Sequence, residues 1–239
     1  MTPDDLERLL VVQEHDTALD RLRYRRATLP ERAQLDARTT ELRAQEATRA
    51  QVQTVWNTVY AEERRLDDDA RSIEEHARDV DKRLYSGTIS SPRELQAMQA
   101  DLEMLRRQLS DMEDQELEVM EQREALDAQL GTLDASISSL EADTHQLRDA
   151  IAAADSAIDR EIEQETTARA DTAAPVPEAL LRDYERRRAQ NRGAGAARLV
   201  GTTCQACHLT IPSTEAERIR RAAGSEVAYC DNCGAILVP

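Results

Sequence analysis

A mainly α protein, with a long antiparallel coiled-coil helical hairpin followed by a small C-terminal four-cysteine zinc ribbon, is the fold class this sequence predicts. Three observations carry that expectation. From Glu31 to Ser86 there is neither Gly nor Pro, and from Arg93 to Ala174 only Gly131; stretches that long exceed ordinary globular helices. Within them apolar residues recur every seven positions. All four cysteines fall in the last 36 residues, as two Cys-x-x-Cys pairs. Composition agrees, since 33% charged residues, 3% aromatics and no Phe cannot furnish one large globular core.

The chain opens with a short amphipathic pattern, Leu9, Val12, Leu19, Leu22 and Leu29, that ends at Pro30. Proline suits a first helical turn and disrupts an interior, so Thr28 to Glu31 reads as a kink or restart. The first long segment then carries Val52, Val59, Leu66, Ile73 and Val80 on one series and Leu35, Leu42, Trp56, Ala70, Ala77 and Leu84 on the other, with Arg49 and Glu63 interrupting. In the second, Met98, Leu105, Met112, Val119, Leu126, Leu133, Leu140 and Leu147 are seven apart. Leu102, Leu109, Leu130, Ile137, Ile151 and Ile158 form its partner series, interrupted by Glu116, Arg123 and Thr144. Two interleaved series of this kind are a coiled-coil seam, and at ~1.5 Å per residue Met98 to Ile158 alone would span roughly 90 Å.

Between the segments, Tyr85 to Pro92 is dense in turn formers. Ser91 as N-cap, Pro92 at the first helical position and Glu94 three residues after the cap form a helix start with a capping box. The chain can therefore fold back on itself, bringing Ile73 and Ala77 near Met98 to Leu105 and Trp56 near Val119 to Leu126. A parallel dimer is the competing use of the same seams; the short loop, which keeps the effective concentration of the second helix high, favours the hairpin. The N-terminal segment is then free to cover the far end of the second long helix. Ala173 to Pro177 reads as a linker, Glu178 to Ala189 as a short helix and Asn191 to Ala197 as a Gly/Ala hinge. The expected domains are residues 1–175 for the hairpin with its tip at 85–92, 176–198 for the short helix and basic linker, and 199–239 for the ribbon.

Cys204, Cys207, Cys230 and Cys233 form two pairs separated by 22 residues. A two-residue gap lets both thiolates of a pair turn inward on one knuckle, and two knuckles supply four sulfurs at ~2.3 Å around one zinc. Gly234 suits the positive φ such a knuckle requires. Disulfides are disfavoured in a chain read as cytoplasmic, and a redox pair would need a strand-to-helix setting that neither pair has. A four-thiolate site leaves no open coordination position, so the expected zinc, one per chain, is structural. His208 beside Cys207 reads as a surface residue rather than a ligand.

These parts together, with Leu84-Tyr85-Ser86-Gly87 and Ser91-Pro92-Arg93-Glu94-Leu95-Gln96 at the tip, Tyr184 in the short helix and the terminal cysteines, resemble the bacterial C4-type zinc-ribbon, coiled-coil family. The resemblance spans essentially the whole chain. It implies a non-enzymatic adaptor; better understood members, in flagellated or type III-secreting bacteria, bind export-apparatus components or an alternative sigma factor, and RNA binding is ascribed to one.

Read from the residues, two function classes stand. A protein adaptor would present the tip, where Tyr85 and Ile89 have little intramolecular surface to cover. A nucleic-acid binder would use a basic collar: nine arginines against four acids lie between Ala179 and Arg221, in a chain of net charge -16. Its candidate contacts are Arg186, Arg187, Arg188, Arg192, Arg218, Arg220 and Arg221. Aromatics for base stacking are nearly absent there, only Tyr184 and Tyr229. The same arginines could instead balance the thiolate centre or dock the ribbon. An enzyme is not expected, because the four histidines are scattered and no phosphate-cradling Gly loop or Ser/His/Asp cluster occurs. No apolar run reaches the ~18 residues of a membrane span, so a membrane is not an expected partner, and because nothing in the rod resembles a pocket, neither is a small-molecule substrate.

Overall fold

The computed structural model describes residues 2–222 and 226–239. Its elements are α1 (Pro3–Ala27), α2 (Pro30–Tyr85), α3 (Pro92–Ala173), α4 (Glu178–Gln190), β1 (Ala196–Val200), β2 (Thr203–Cys204), α5 (Ser213–Arg221), β3 (Ala228–Tyr229) and β4 (Ile236–Val238). They form two compact units: residues 34–146, and a composite of the chain up to Ala33 with residues 147–239. Among the described residues, no helix is long and apolar enough to cross a membrane.

In the first unit α2 and α3 run antiparallel within one chain. Ala77, Val80 and Leu84 of α2 cluster with Leu102 and Leu105 of α3, flanked by Ile73, Leu95 and Met98. That is the register the sequence predicts. Trp56 donates its indole N–H to Asp127 at 2.7 Å and stacks on Tyr60, centroids 5.0 Å apart. The residues that interrupt the heptads are largely matched across the seam. Arg123 meets both carboxylate oxygens of Glu63, at 2.8 and 2.9 Å, and Arg49 reaches Asp134 at 2.5 Å. Thr144, 1% exposed, returns its hydroxyl to the Glu141 carbonyl within its own helix.

At the turn, Gly87 takes a left-handed φ of 71°. The Ser86 hydroxyl sits 2.7 Å from both the Arg83 carbonyl and the Thr88 hydroxyl. Ser91 accepts the Glu94 amide at 3.5 Å at the start of α3.

The second unit is built around α1, which starts at a capping box between Thr2 and Asp5. As expected, α1 covers the C-terminal part of α3, with His15 at 2.7 Å from Glu165 and Arg26 at 2.9 Å from Asp159. Leu6, Leu9, Leu10 and Val12 pack against Ala173, Val176, Leu180 and Tyr184, and also against Ala196 of β1 and Ile236 and Val238 of β4. The sheet order is β2-β1-β4-β3, with β1 and β4 parallel and the outer pairs antiparallel. Side chains alternate across it. Ala196, Ile236 and Val238 face the helices, whereas Ala197, Leu199 and Leu237 face a second core with Ile211, Ala216 and Ile219.

The stretch expected to be a hinge is not one. β1 begins inside it, at Ala196, and Gln13 of α1 clamps its backbone: the amide oxygen accepts the N–H groups of Gly195 (2.7 Å) and Ala196 (3.2 Å), while Nε2 donates to the Gly193 carbonyl (2.8 Å). A Cβ on Gly195 would lie 2.5 Å from the Tyr184 ring. Glycine stands there for close packing, not for flexibility.

Candidate metal centre

The two cysteine pairs lie on matching turns. His208 N–H donates to the Cys204 carbonyl (2.8 Å) and Gly234 N–H to the Cys230 carbonyl (2.7 Å). Cys204 N–H then donates to the Leu209 carbonyl (3.1 Å), and Cys230 N–H to that of Ala235 (2.9 Å). The residue after each second cysteine is left-handed, with φ of 60° at His208 and 76° at Gly234. His208 thus occupies the position glycine fills in the other knuckle, and it is exposed.

All four sulfurs lie within 4.8 Å of one another, at 3.9 Å for Cys204 and Cys233 and 3.8 Å for Cys207 and Cys230. Tetrahedral thiolates at ~2.3 Å from zinc stand about 3.8 Å apart, so the sulfurs fit that ion; a disulfide, at about 2.05 Å, they do not form. Burial pushes the Cys204 thiol up and the Cys233 thiol up to about 12, whereas the Leu209 amide holds Cys207 down. The donor set is that of a structural zinc, which supplies the cross-link between the knuckles and favours the deprotonated thiols.

α4 supports this centre from outside. Arg187 donates to the Gly234 carbonyl (2.7 Å), lies 3.6 Å over the Tyr229 ring and pairs with Asp183 (3.1 Å), which also accepts the Tyr229 hydroxyl (3.1 Å). A cation so placed offsets part of the net negative charge of a four-thiolate zinc.

On its other side α4 meets a buried ionic cluster centred on Asp16 of α1, whose side chain is 5% exposed. Asp16 accepts from Arg169 (2.8 and 3.3 Å) and from the Tyr184 hydroxyl (2.6 Å), with the Arg188 guanidinium 3.6 Å away. Arg188 also reaches Asp20 at 2.5 Å, and Arg169 reaches Glu185. Burial, reinforced by Asp16, drives the Tyr184 hydroxyl well above its usual range, and hydrogen bonding to Asp16 holds Arg169 more firmly protonated. Asp16 and Gln13 are absent from the sequence-based candidates. Their only signal was two polar residues within the apolar stripe of α1.

Most of the collar arginines are engaged. Arg186 pairs with Asp183, Arg218 with Glu215 and Arg221 with Glu217, and Arg220 donates to the Gly201 carbonyl. With Arg187 and Arg188 bound as above, Arg192 alone of the seven has no hydrogen bond or ion pair among the described residues. At the tip, Tyr85 is 78% exposed while Ile89 is half-buried.

The sequence pattern of the CT398-like coiled coil hairpin domain matches residues 12–192, and that of the C4-type zinc ribbon domain matches residues 203–237. The protein Rv2229c of Mycobacterium tuberculosis is 31% identical over 230 residues, covering 96% of this chain and 93% of that one. A structure from Mycobacterium smegmatis superposes with a TM-score of 0.86 at 28% identity, over 100% of this chain and 98% of the other. CT398 from Chlamydia trachomatis shares the fold, with a TM-score of 0.51 at 18% identity over 98% and 97% of the two chains. A hairpin, a turn and a four-cysteine ribbon in this order, matched along nearly the whole length, make the chain a member of the CT398-like coiled-coil hairpin family with a C4-type zinc ribbon.

Proposed function

We propose that the protein is a non-enzymatic zinc-binding adaptor that presents the tip of its hairpin to a protein partner and keeps its ribbon as a metal-stapled structural element. The observation that carries this reading is Tyr85, a large aromatic 78% exposed at the end of α2, beside a turn in which the Ser86 hydroxyl is tied to the Arg83 carbonyl and the Thr88 hydroxyl. An exposed aromatic on a stiff support is the kind of group that anchors a protein interface, because it loses little conformational freedom on binding. The engagement of the collar arginines by neighbouring carboxylates and carbonyls favours this reading over a nucleic-acid one, since paired guanidinium groups have less to offer phosphates.

A photo-crosslinking residue at position 85, introduced in the native host, tests the proposal. One discrete protein adduct is expected, lost when Ile89→Ser is added and retained when Arg218 and Arg221 are changed to Ala. No adduct at 85, or an adduct that ignores Ile89→Ser, overturns it.

A further inference from the structure

Most arginines of this acidic chain end on a carboxylate or a carbonyl. Two that do not, Arg21 on α1 and Arg192 in the turn after α4, line one cleft of about 690 Å³ between α1 and the β1 side of the ribbon. Small-ligand pockets span roughly 300–1,000 Å³. Its apolar wall includes Leu10, Ala194, Ala197 and Ala206, and Tyr24, one helical turn beyond Arg21, contributes a ring that is 71% exposed.

Arg192 is held in place. Its φ of 52° is a left-handed conformation that side-chain-bearing residues seldom adopt. The turn is fixed by Gly193 N–H on the Arg188 carbonyl (3.0 Å), Ala194 N–H on the Asn191 carbonyl (3.2 Å) and Gln13 on the Gly193 carbonyl (2.8 Å). Of the two acids of the cleft, Asp20 is taken by Arg188 and Arg23, whereas Glu14 makes no hydrogen bond or ion pair among the described residues. Arg21 and Arg192 likewise end on no carboxylate or carbonyl, and with Arg198 the cleft carries three cations to two acids beside an aromatic face.

We propose that this cleft binds a nucleotide unit, its phosphate taken by Arg21 and Arg192 and its base stacked on Tyr24. Guanidinium groups suit phosphate oxygens because their donors form a planar fork, and a tyrosine face accepts any base. The unit can come from a free mononucleotide or from a single strand; the chemistry recognised is the same. The site shares Arg192 with the collar but is otherwise separate from it, since the six other collar candidates lie on α4 or α5 and the cleft draws Arg21 and Tyr24 from α1, some 170 residues earlier in the chain.

Full-length, zinc-loaded protein titrated with adenosine monophosphate, adenosine, inorganic phosphate and a single-stranded trinucleotide, followed by NMR and calorimetry, tests this. Adenosine monophosphate is expected to bind saturably and shift the Tyr24 ring resonances, with adenosine and phosphate each at least about fivefold weaker. Arg21→Gln and Arg192→Gly, which keeps the left-handed backbone, should each weaken binding roughly tenfold. Tyr24→Phe should retain binding and Tyr24→Ser lose it, with zinc content and helicity unchanged in all four variants. Tighter binding of the trinucleotide through the same residues assigns the source to a strand, and equal binding assigns it to the free nucleotide. Absence of saturable binding, phosphate binding as well as the nucleotide, or indifference to these variants overturns the proposal.

Discussion

Residues 34–146 are held by one seam, whereas the unit around α1 is closed on several sides. In the hairpin many seam residues, among them Met112, Leu126 and Leu133, stay half-exposed because two helices can bury only one stripe each. In the α1 unit Leu9, Val12, Tyr184 and Ile236 are fully buried, and so is the Asp16 carboxylate at the centre of a cluster of charges. A single seam tolerates polar layers at little cost, since water still reaches their edges. A closed core tolerates them only when every group is partnered. The difference predicts that equivalent lesions will have unequal effects in the two units.

The sharpest separation should come from the metal. Cys207→Ser, or exhaustive chelation, removes a binding free energy of about 10 kcal/mol or more on the scale of small zinc peptides. Because β1 and β4 also wall the helical core, amide exchange should rise in α1 and α4 as well as in residues 199–239. Residues 34–146 should keep their protection. Equal loss in both units would break the comparison.

Next in size is Asp16. Asp16→Ala leaves Arg169, Arg188 and Tyr184 without their shared partner and should cost about 3–5 kcal/mol in chemical denaturation. Tyr184→Phe removes one hydrogen bond to a charged group, about 1.5–3 kcal/mol. Since the folded state raises the Tyr184 pKa, the stability it contributes is complete below the unfolded value of about 10 and falls as pH rises beyond it. Alkaline titration should therefore loosen the α1 unit first, and Tyr184→Phe should remove that extra sensitivity.

Arg187→Ala should speed zinc release to a chelator roughly tenfold, as loss of an outer-shell partner does elsewhere. In the hairpin, Glu63→Ala should cost only about 1–2 kcal/mol, because Arg123 remains partly hydrated. Leucine at both 63 and 123 should raise the thermal midpoint while admitting slipped or intermolecular pairings, visible by cross-linking. The smallest effect is a gain. His208→Gly relieves a left-handed residue and should stabilise the ribbon by about 1 kcal/mol, whereas Gly234→Ala should weaken it.

What was readable in the sequence follows from range. The heptads, the turn at Ser86 to Ser91 and both knuckles are patterns written within a few residues of one another, and the hairpin register follows from where the turn lies. Asp16, Gln13 and Arg187 act on partners far along the chain: Asp16 meets Arg169 and Tyr184, and Gln13 meets Gly195. Apart from the place of Gln13 and Asp16 within the apolar stripe of α1, nothing local distinguishes them from the many polar residues of a charged helix. Gly195 misled for the same reason, since a glycine packed under a tyrosine and a glycine in a hinge look alike until the tyrosine is placed. The arginine collar was legible as composition, and so were its pairings with acids one helical turn away, but its long-range ones were not. Arg23 and Arg188 converge on Asp20 from opposite ends of the sequence.

The core that joins Leu6 to Val238 also sets an order of events. The hairpin can zip from its turn outward as soon as α3 emerges during synthesis, since each new contact closes only a short additional loop. α1 is made first, yet its apolar face has no complete partner until β4, at the end of the chain, is released. Until then that face is covered only in part, by the end of α3 and by α4, and the rest is open to chaperones and to neighbouring nascent chains. A stop before Ile236 leaves that cover incomplete, and the product is a zipped hairpin whose α1 keeps part of its apolar face exposed.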